Sequence, residues 1–270
     1  MIIKTKNYSQ NDNDIYFLDV VYDKIVVNDN YDGIQILDSN LNLIKKIKIF
    51  SDITIYTSYT NYTSKEILLY CPDNECIVYI DLKTSDYKVI YLREGLENLV
   101  FSSIYSWIGD DIALSTYKGK FYNVSINEKT LKLIDCSDVG KLYPELYEFY
   151  QGLSKYKVIN VHQNEYVAVI EDEKSNIAAL NYKDRTREIL KSTTANFIDM
   201  EFTEQIFIIV NEEAIKVVTE YSEELLQPNE NFIFLKARFL KKLGDVFIVI
   251  LSSSKSNANH SNIDIFKLCK

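Results

Sequence analysis

The 270-residue chain is 47% hydrophobic and 26% charged, enough apolar material for a large core and too much for a disordered tail. Its formal net charge of −9, with no basic stripe, excludes nucleic acid as the expected partner, because phosphate binding draws most of its affinity from Lys and Arg. Tyrosine (21), Phe (13), Ile and Val favour strands, and with 7 Gly and 3 Pro the turns must use Asn, Asp, Ser and Lys.

In chain order, "MIIKTKNYSQNDND" carries charge but no apolar segment of the signal-peptide kind. No later apolar run reaches transmembrane length. The expectation is a cytoplasmic protein away from membranes. Cys71, Cys76, Cys136 and Cys269 form no paired CxxC motif, which argues against zinc, and they read as reduced thiols. Met1–Lys6 is a strand-like run with no neighbour in sequence to pair with. Next come Ile15–Val21, Ile25–Val27, Ile34–Asp38 and Leu43–Ile49, parted by short polar turns that include "NDNYDG" and "SNLN". Together they predict a four-stranded antiparallel meander.

The layout recurs as "KEILLYCPDNECIVYIDLKTSDYKVIYL", "DDIALSTYKGKFYNVSINEKTLKLIDC", "NEYVAVIEDEKSNIAALNYKDRTREILK", "EQIFIIVNEEAIKVVTEYSEELL" and "GDVFIVILSSSKSNANHSNIDIFKLC". The second strands begin at Ile25, Ile67, Ile112, Tyr166, Ile206 and Val246, intervals of 42, 45, 54, 40 and 40 residues. Four of these fall near the ~40–45-residue period of four-stranded propeller blades. On these residues the chain resembles the β-propeller families, WD40-like ones included, over essentially its whole length. It lacks their Trp-Asp dipeptide, since Trp107 precedes Ile108, and their Gly-His signature. The resemblance implies an all-β fold: one domain over 1–270, a six-bladed β-propeller of four-stranded antiparallel blades. Met1–Lys6 would supply the missing outer strand of the last unit and close the ring.

In such a blade the second-to-third turns share an end with the connections between blades. They carry Asp29 and Asp32, then Asp73 and Glu75, then Glu171, Asp172 and Glu173, then Glu212 and Glu213. The third unit breaks the series with Tyr117-Lys118-Gly119, and the sixth with the loop 252–261. The opposite end is mixed in charge. The 54-residue interval holds "CSDVGKLYPELYEFYQGLSKY", where Leu142, Leu146, Phe149, Tyr150 and Leu153 recur at helical spacing. This predicts a short helix between the third and fourth blades, either packed flat on the fold or presenting Tyr143, Tyr147 and Tyr150 to a partner.

His162 and His260 have no neighbours at metal-ligand spacing, and GxSxG, P-loop and GxGxxG motifs are absent. Catalytic residues, cofactors and metal ligands are therefore expected to be none. The sequence reading is a non-enzymatic, protein-binding propeller, monomeric when unbound, that meets a basic partner through its acidic turns. The Ile, Asn, Lys and Tyr bias suggests an AT-rich bacterial gene. In that setting an acidic chain looks like an immunity protein or inhibitor that neutralises a basic, nuclease-type toxin. The alternatives are a propeller enzyme acting on sugars or lactones with channel carboxylates, and a general interaction scaffold.

Overall fold

The computed structural model describes residues 2–61, 65–91, 101–108, 111–116, 121–128, 130–134, 141, 144–153, 155–162, 167–171, 174, 176–182, 186–193, 197–203, 206–219 and 222–269. The first strand, β1 (Ile2–Gln10), stands apart in sequence; the rest follow in meanders. The first meander is β2 (Leu18–Val21), β3 (Lys24–Asp29), β4 (Gly33–Asp38) and β5 (Leu43–Lys48), paired in that order. The second is β6 (Thr57–Asn61), β7 (Glu66–Cys71), β8 (Cys76–Asp81) and β9 (Tyr87–Tyr91). The third comprises β10 (Phe101–Ile108), β11 (Asp111–Thr116), β12 (Phe121–Ser125) and β13 (Thr130–Ile134). After helix α1 (Pro144–Leu153) come β14 (Lys157–His162), β15 (Val167–Glu171), β16 (Asn176–Asn181) and β17 (Thr186–Thr193). They are followed by β18 (Phe197–Thr203), β19 (Ile206–Asn211), β20 (Ala214–Val218) and β21 (Glu223–Leu226). Last are β22 (Phe232–Lys242), β23 (Asp245–Ser254) and β24 (Ser261–Leu268), with β1 on the outside of β24. Four-stranded antiparallel meanders repeated in this way are the blades of a β-propeller repeat fold.

The chain divides into two compact units. One comprises Met1–Ile67, Asp81–Asp86 and Asn196–Lys270; the other comprises Leu68–Ile80 and Tyr87–Ala195. Among the described residues, the expected ring of six blades is corrected by this division to five whole blades. The sheets β2–β5, β18–β21 and β22–β24 with β1 lie in the first unit, and β10–β13 and β14–β17 lie in the second. The β6–β9 sheet is cut between them: β6 belongs to the first unit, β9 to the second, and β7 is divided after Ile67. Sequence period counts repeats, but only packing decides which repeats form one body.

Within the first unit, the run "VFIVIL" in β23 explains how sheets stack. Successive side chains of a strand point to opposite faces. Val249 and Leu251 therefore join Ile25, Val27 and Leu37 of the β2–β5 blade, while Ile248 and Ile250 join Ile208, Val210 and Ile215 of the β18–β21 blade. A blade covered on both faces reads as a continuous apolar run rather than an alternating one. The outer strands show the opposite pattern: β5 buries Ile47 and exposes Leu43, Ile44, Lys45 and Lys46.

The amino-terminal strand completes the carboxy-terminal blade, from Ile2 opposite Leu268 to Gln10 opposite Ser261. It is longer than the expected Met1–Lys6, with a bulge between Lys4 and Lys6. Conversely, the strand expected from Ile15 begins only at Leu18. The cause is Asn28, which is fully buried. Its Oδ1 accepts the Tyr16 and Phe17 amides at 2.9 Å each, and its Nδ2 donates to the Asp14 carbonyl at 2.6 Å. A side chain thus takes the bonds that a ladder would have made.

In the second unit, Val167–Ile170 of β15 and Ile177–Ala179 of β16 are buried. Helix α1 lies between the third and fourth meanders, as its spacing predicts. Phe149, Tyr150 and Leu153 are buried, and Phe149 meets Tyr182 edge-on with ring centroids 5.6 Å apart.

Candidate functional site

Loops of the first unit are tied into one end by backbone bonds. Asn13 donates to the Asn259 carbonyl at 3.2 Å, Ile53 to Tyr31 at 2.8 Å, Phe234 to Glu212 at 2.9 Å and Lys255 to Asn231 at 2.8 Å. Connections 11–17, 49–56 and 227–231 thereby join the turns at 30–32 and 212–213. Carboxylates outnumber cations here: Asp12, Asp52, Glu212, Glu213 and Glu230 are exposed, against exposed Lys46, Lys48 and Lys255.

The candidate binding residues fare differently from one another. Asp29 is paired with Lys46 at 2.8 Å and accepts from Gln35, while Asp32 lies 3.4 Å from Lys48. The outer strand thus neutralises the first acidic turn. Glu212 and Glu213 project into solvent from the β19–β20 turn. Asp73 and Glu75 sit on the tight turn after β7, Glu75 with φ 52°, and Glu171 is held by Lys157. These last three belong to the second unit. Tyr147 is half-buried, and Tyr150 is buried beside Phe149, in the core rather than at a surface. Asp172, Glu173, Tyr143 and the Tyr117-Lys118-Gly119 turn lie outside the described residues.

Two aromatics on the acidic end were not singled out from the sequence. Tyr31 is 42% and Tyr56 57% exposed. Tyr31 stacks on Tyr16 at 5.4 Å and donates its hydroxyl to Asp14 at 2.8 Å, which raises its pKa above the ordinary value. At the opposite end charges are mixed and paired: Lys24 and Lys65 approach Asp23, and Lys267 meets Asp245 at 2.5 Å. A cavity of about 210 Å³ there is lined by Thr5, Lys6, Ser39, Leu240, Phe247 and Ile265 among others.

A second constellation, also missed, lies inside the first unit where first strands adjoin. Asp199 and Glu201 are two apart on β18, and Lys236 and Arg238 two apart on β22, so each pair shares a strand face. Arg238 Nη1 donates to Asp199 Oδ2 at 2.5 Å; its Nε lies 3.5 Å from Glu201 and 3.7 Å from Asp19 of β2. Asp19 also accepts the Ser58 hydroxyl of β6 at 2.6 Å. One guanidinium therefore bridges β18, β22 and β2. Burial opposes its charge, but Asp199, Glu201 and Asp19 outweigh that and raise its pKa.

Glu201 goes the other way. Burial pushes its carboxyl up to about 8 against the pull of Arg238, with Asp19 and Asp199 adding to the rise. Burial likewise lowers the Lys236 pKa, and the ammonium lies 5.5 Å from the centre of the Phe17 ring. Truncating one partner of such a buried set typically costs about 3–5 kcal/mol, which makes it a staple between blades. A sequence signal existed: like charges at i, i+2 inside apolar first strands, acidic in "FIDMEFT" and basic in "FIFLKARFL".

Among the described residues no cluster of His, Cys, Asp and Glu could hold a metal ion, and no helix is long and apolar enough to cross a membrane. No family model matches the chain, and no curated protein matches it. Among solved structures it is similar to the β-propeller domain of Cps50 (Swd1) from Myceliophteria thermophila, at a TM-score of 0.47 and 9% identity over 100% of both chains. At that score the likeness adds no weight; the propeller class rests on the strand order itself.

Proposed function

We propose that the chain is a non-catalytic protein-interaction scaffold whose first unit presents its acidic end to a basic protein. The observation that carries this is the charge asymmetry of that unit: exposed carboxylates gather with Tyr31 and Tyr56 at one end, while charges at the other end are mixed. Such an end steers a cationic partner, and exposed tyrosines supply amphipathic contact area. Because Asp29 and Asp32 are engaged by Lys46 and Lys48, Glu212 and Glu213 carry more of the attraction than the first turn does. A toxin that holds nucleic acid with Lys and Arg is a partner of the required charge, and immunity is the specific form the scaffold role would then take. The buried Asp19 and half-buried Asp199 and Glu201 offer the sugar or lactone reading its carboxylates, but their engagement by Arg238 suits a staple.

Affinity capture of a partner from the native cells, at low salt and again near 1 M, tests this. The screening length falls to about 3 Å at 1 M. A basic protein should be retained at low salt, released at high salt, and lost by a Glu212→Ser, Glu213→Ser, Asp52→Ser variant. A captured toxin should also lose its activity when mixed with the chain. Capture unaffected by both salt and substitution overturns the proposal.

A further inference from the structure

Cys71 ends β7 and Cys76 begins β8, so the two flank the turn Pro72–Glu75 from facing strands. Residues opposite each other in a hairpin share a face of the sheet, with Cβ atoms about 4.5–5.5 Å apart. A disulfide spans only slightly less. Both side chains are fully buried, both sulfurs are free thiols, and the two thiols are hydrogen-bonded to one another. The turn holds them there: Pro72 restricts the first position, Glu75 takes φ 52°, and the Glu75 amide donates to the Pro72 carbonyl at 3.0 Å. Isolated buried cysteines behave as small hydrophobes. This pair differs because each thiol is the other's polar partner. The bond lowers the pKa of Cys76, and the same bond with burial raises that of Cys71. One sulfur is therefore suited to attack and the other to resolve.

We propose that Cys71 and Cys76 are a modification site, which peroxide converts to an intrachain disulfide across the Pro72–Glu75 turn. The Cys76 thiolate attacks one peroxide oxygen and breaks the O–O bond, leaving a sulfenic acid and, after protonation, one water. The Cys71 sulfur then attacks the sulfenic sulfur, loses its proton and expels a second water. Two thiols are oxidised and one hydrogen peroxide is reduced. Both sulfurs are buried while Asp73 and Glu75 of the intervening turn are exposed, so the reaction requires that short segment to open. The site is independent of the docking proposed for the first unit.

The test treats the reduced full chain with hydrogen peroxide, alkylates remaining thiols and maps the peptides. The expected result is joint loss of both thiols, a mass lower by about two units from the lost hydrogens, a cross-linked 71–76 peptide, and reversal by a thiol reductant. In Cys71→Ser the bridge should vanish and a sulfenic-acid probe should label Cys76 instead. Both thiols surviving excess peroxide, Cys76 overoxidising while Cys71 stays alkylatable, or a bridge to Cys136 or Cys269 would each overturn the assignment.

Discussion

Gly33, at the start of β4, faces the carbonyl of Ile47 so closely that an added Cβ would lie 2.0 Å from that oxygen. Nothing short of moving β5 relieves that contact. Gly33→Ala should lower stability by about 3 kcal/mol, the upper part of the overpacking range, in denaturant unfolding. Gly244, with φ +83° and nothing within 4 Å of the added atom, is the comparison; its alanine variant should cost roughly 1 kcal/mol of backbone strain. Equal losses would show that packing at Gly33 is not what matters. The residues of "NDNYDG" declare a turn through their chemistry. Their sequence does not declare that the Gly is set by a neighbouring strand, or that Asn28, the first of the six, forms bonds to residues 14–17. Both depend on atoms brought close by folding. For the same reason the acidic turns were legible as charges while their partners, Lys46 and Lys48, were not.

At the level of elements, apolar periodicity located the second strand of five meanders; the sixth expected start, Tyr166, lies outside the described residues. Ile25, Ile67, Ile112, Ile206 and Val246 all lie in β3, β7, β11, β19 and β23 respectively. The first strands were harder to read because they carry the charges of the Arg238 group. These charges look like surface in sequence and become interior only when β18, β22 and β2 adjoin. Glu201 gives that arrangement a pH signature. The folded carboxyl keeps its proton to about pH 8, whereas the ordinary value is 4.5. The stability from this protonation is fully present below the unfolded value and drains as pH rises through 8. The slope cannot exceed about 1.4 kcal/mol per pH unit. Wild type should therefore lose stability relative to Glu201→Gln between pH 5 and 8 in urea unfolding. Parallel curves would mean that the folded carboxyl is ionised.

For the whole molecule, β1 pairs with β24 from the opposite end of the sequence, Ile2 with Leu268 and Gln10 with Ser261, and covers what is otherwise a sheet edge. Deleting residues 1–10 should lower the melting temperature by several degrees and promote association through the bared β24. An unchanged melting curve would make β1 dispensable. The sequence by itself determined the all-β class, the four-stranded repeat, the helix after the third meander and the strand that completes the last blade. All of these follow from local spacing and from counting strands. Tertiary structure alone decided that five blades lie whole in two units, that Tyr150 is core and that Asp29 is neutralised. It also decided that Asp19, Asp199, Glu201, Lys236 and Arg238 form one largely enclosed group. Distance between side chains distant in sequence controls each of these, and a linear pattern does not encode it.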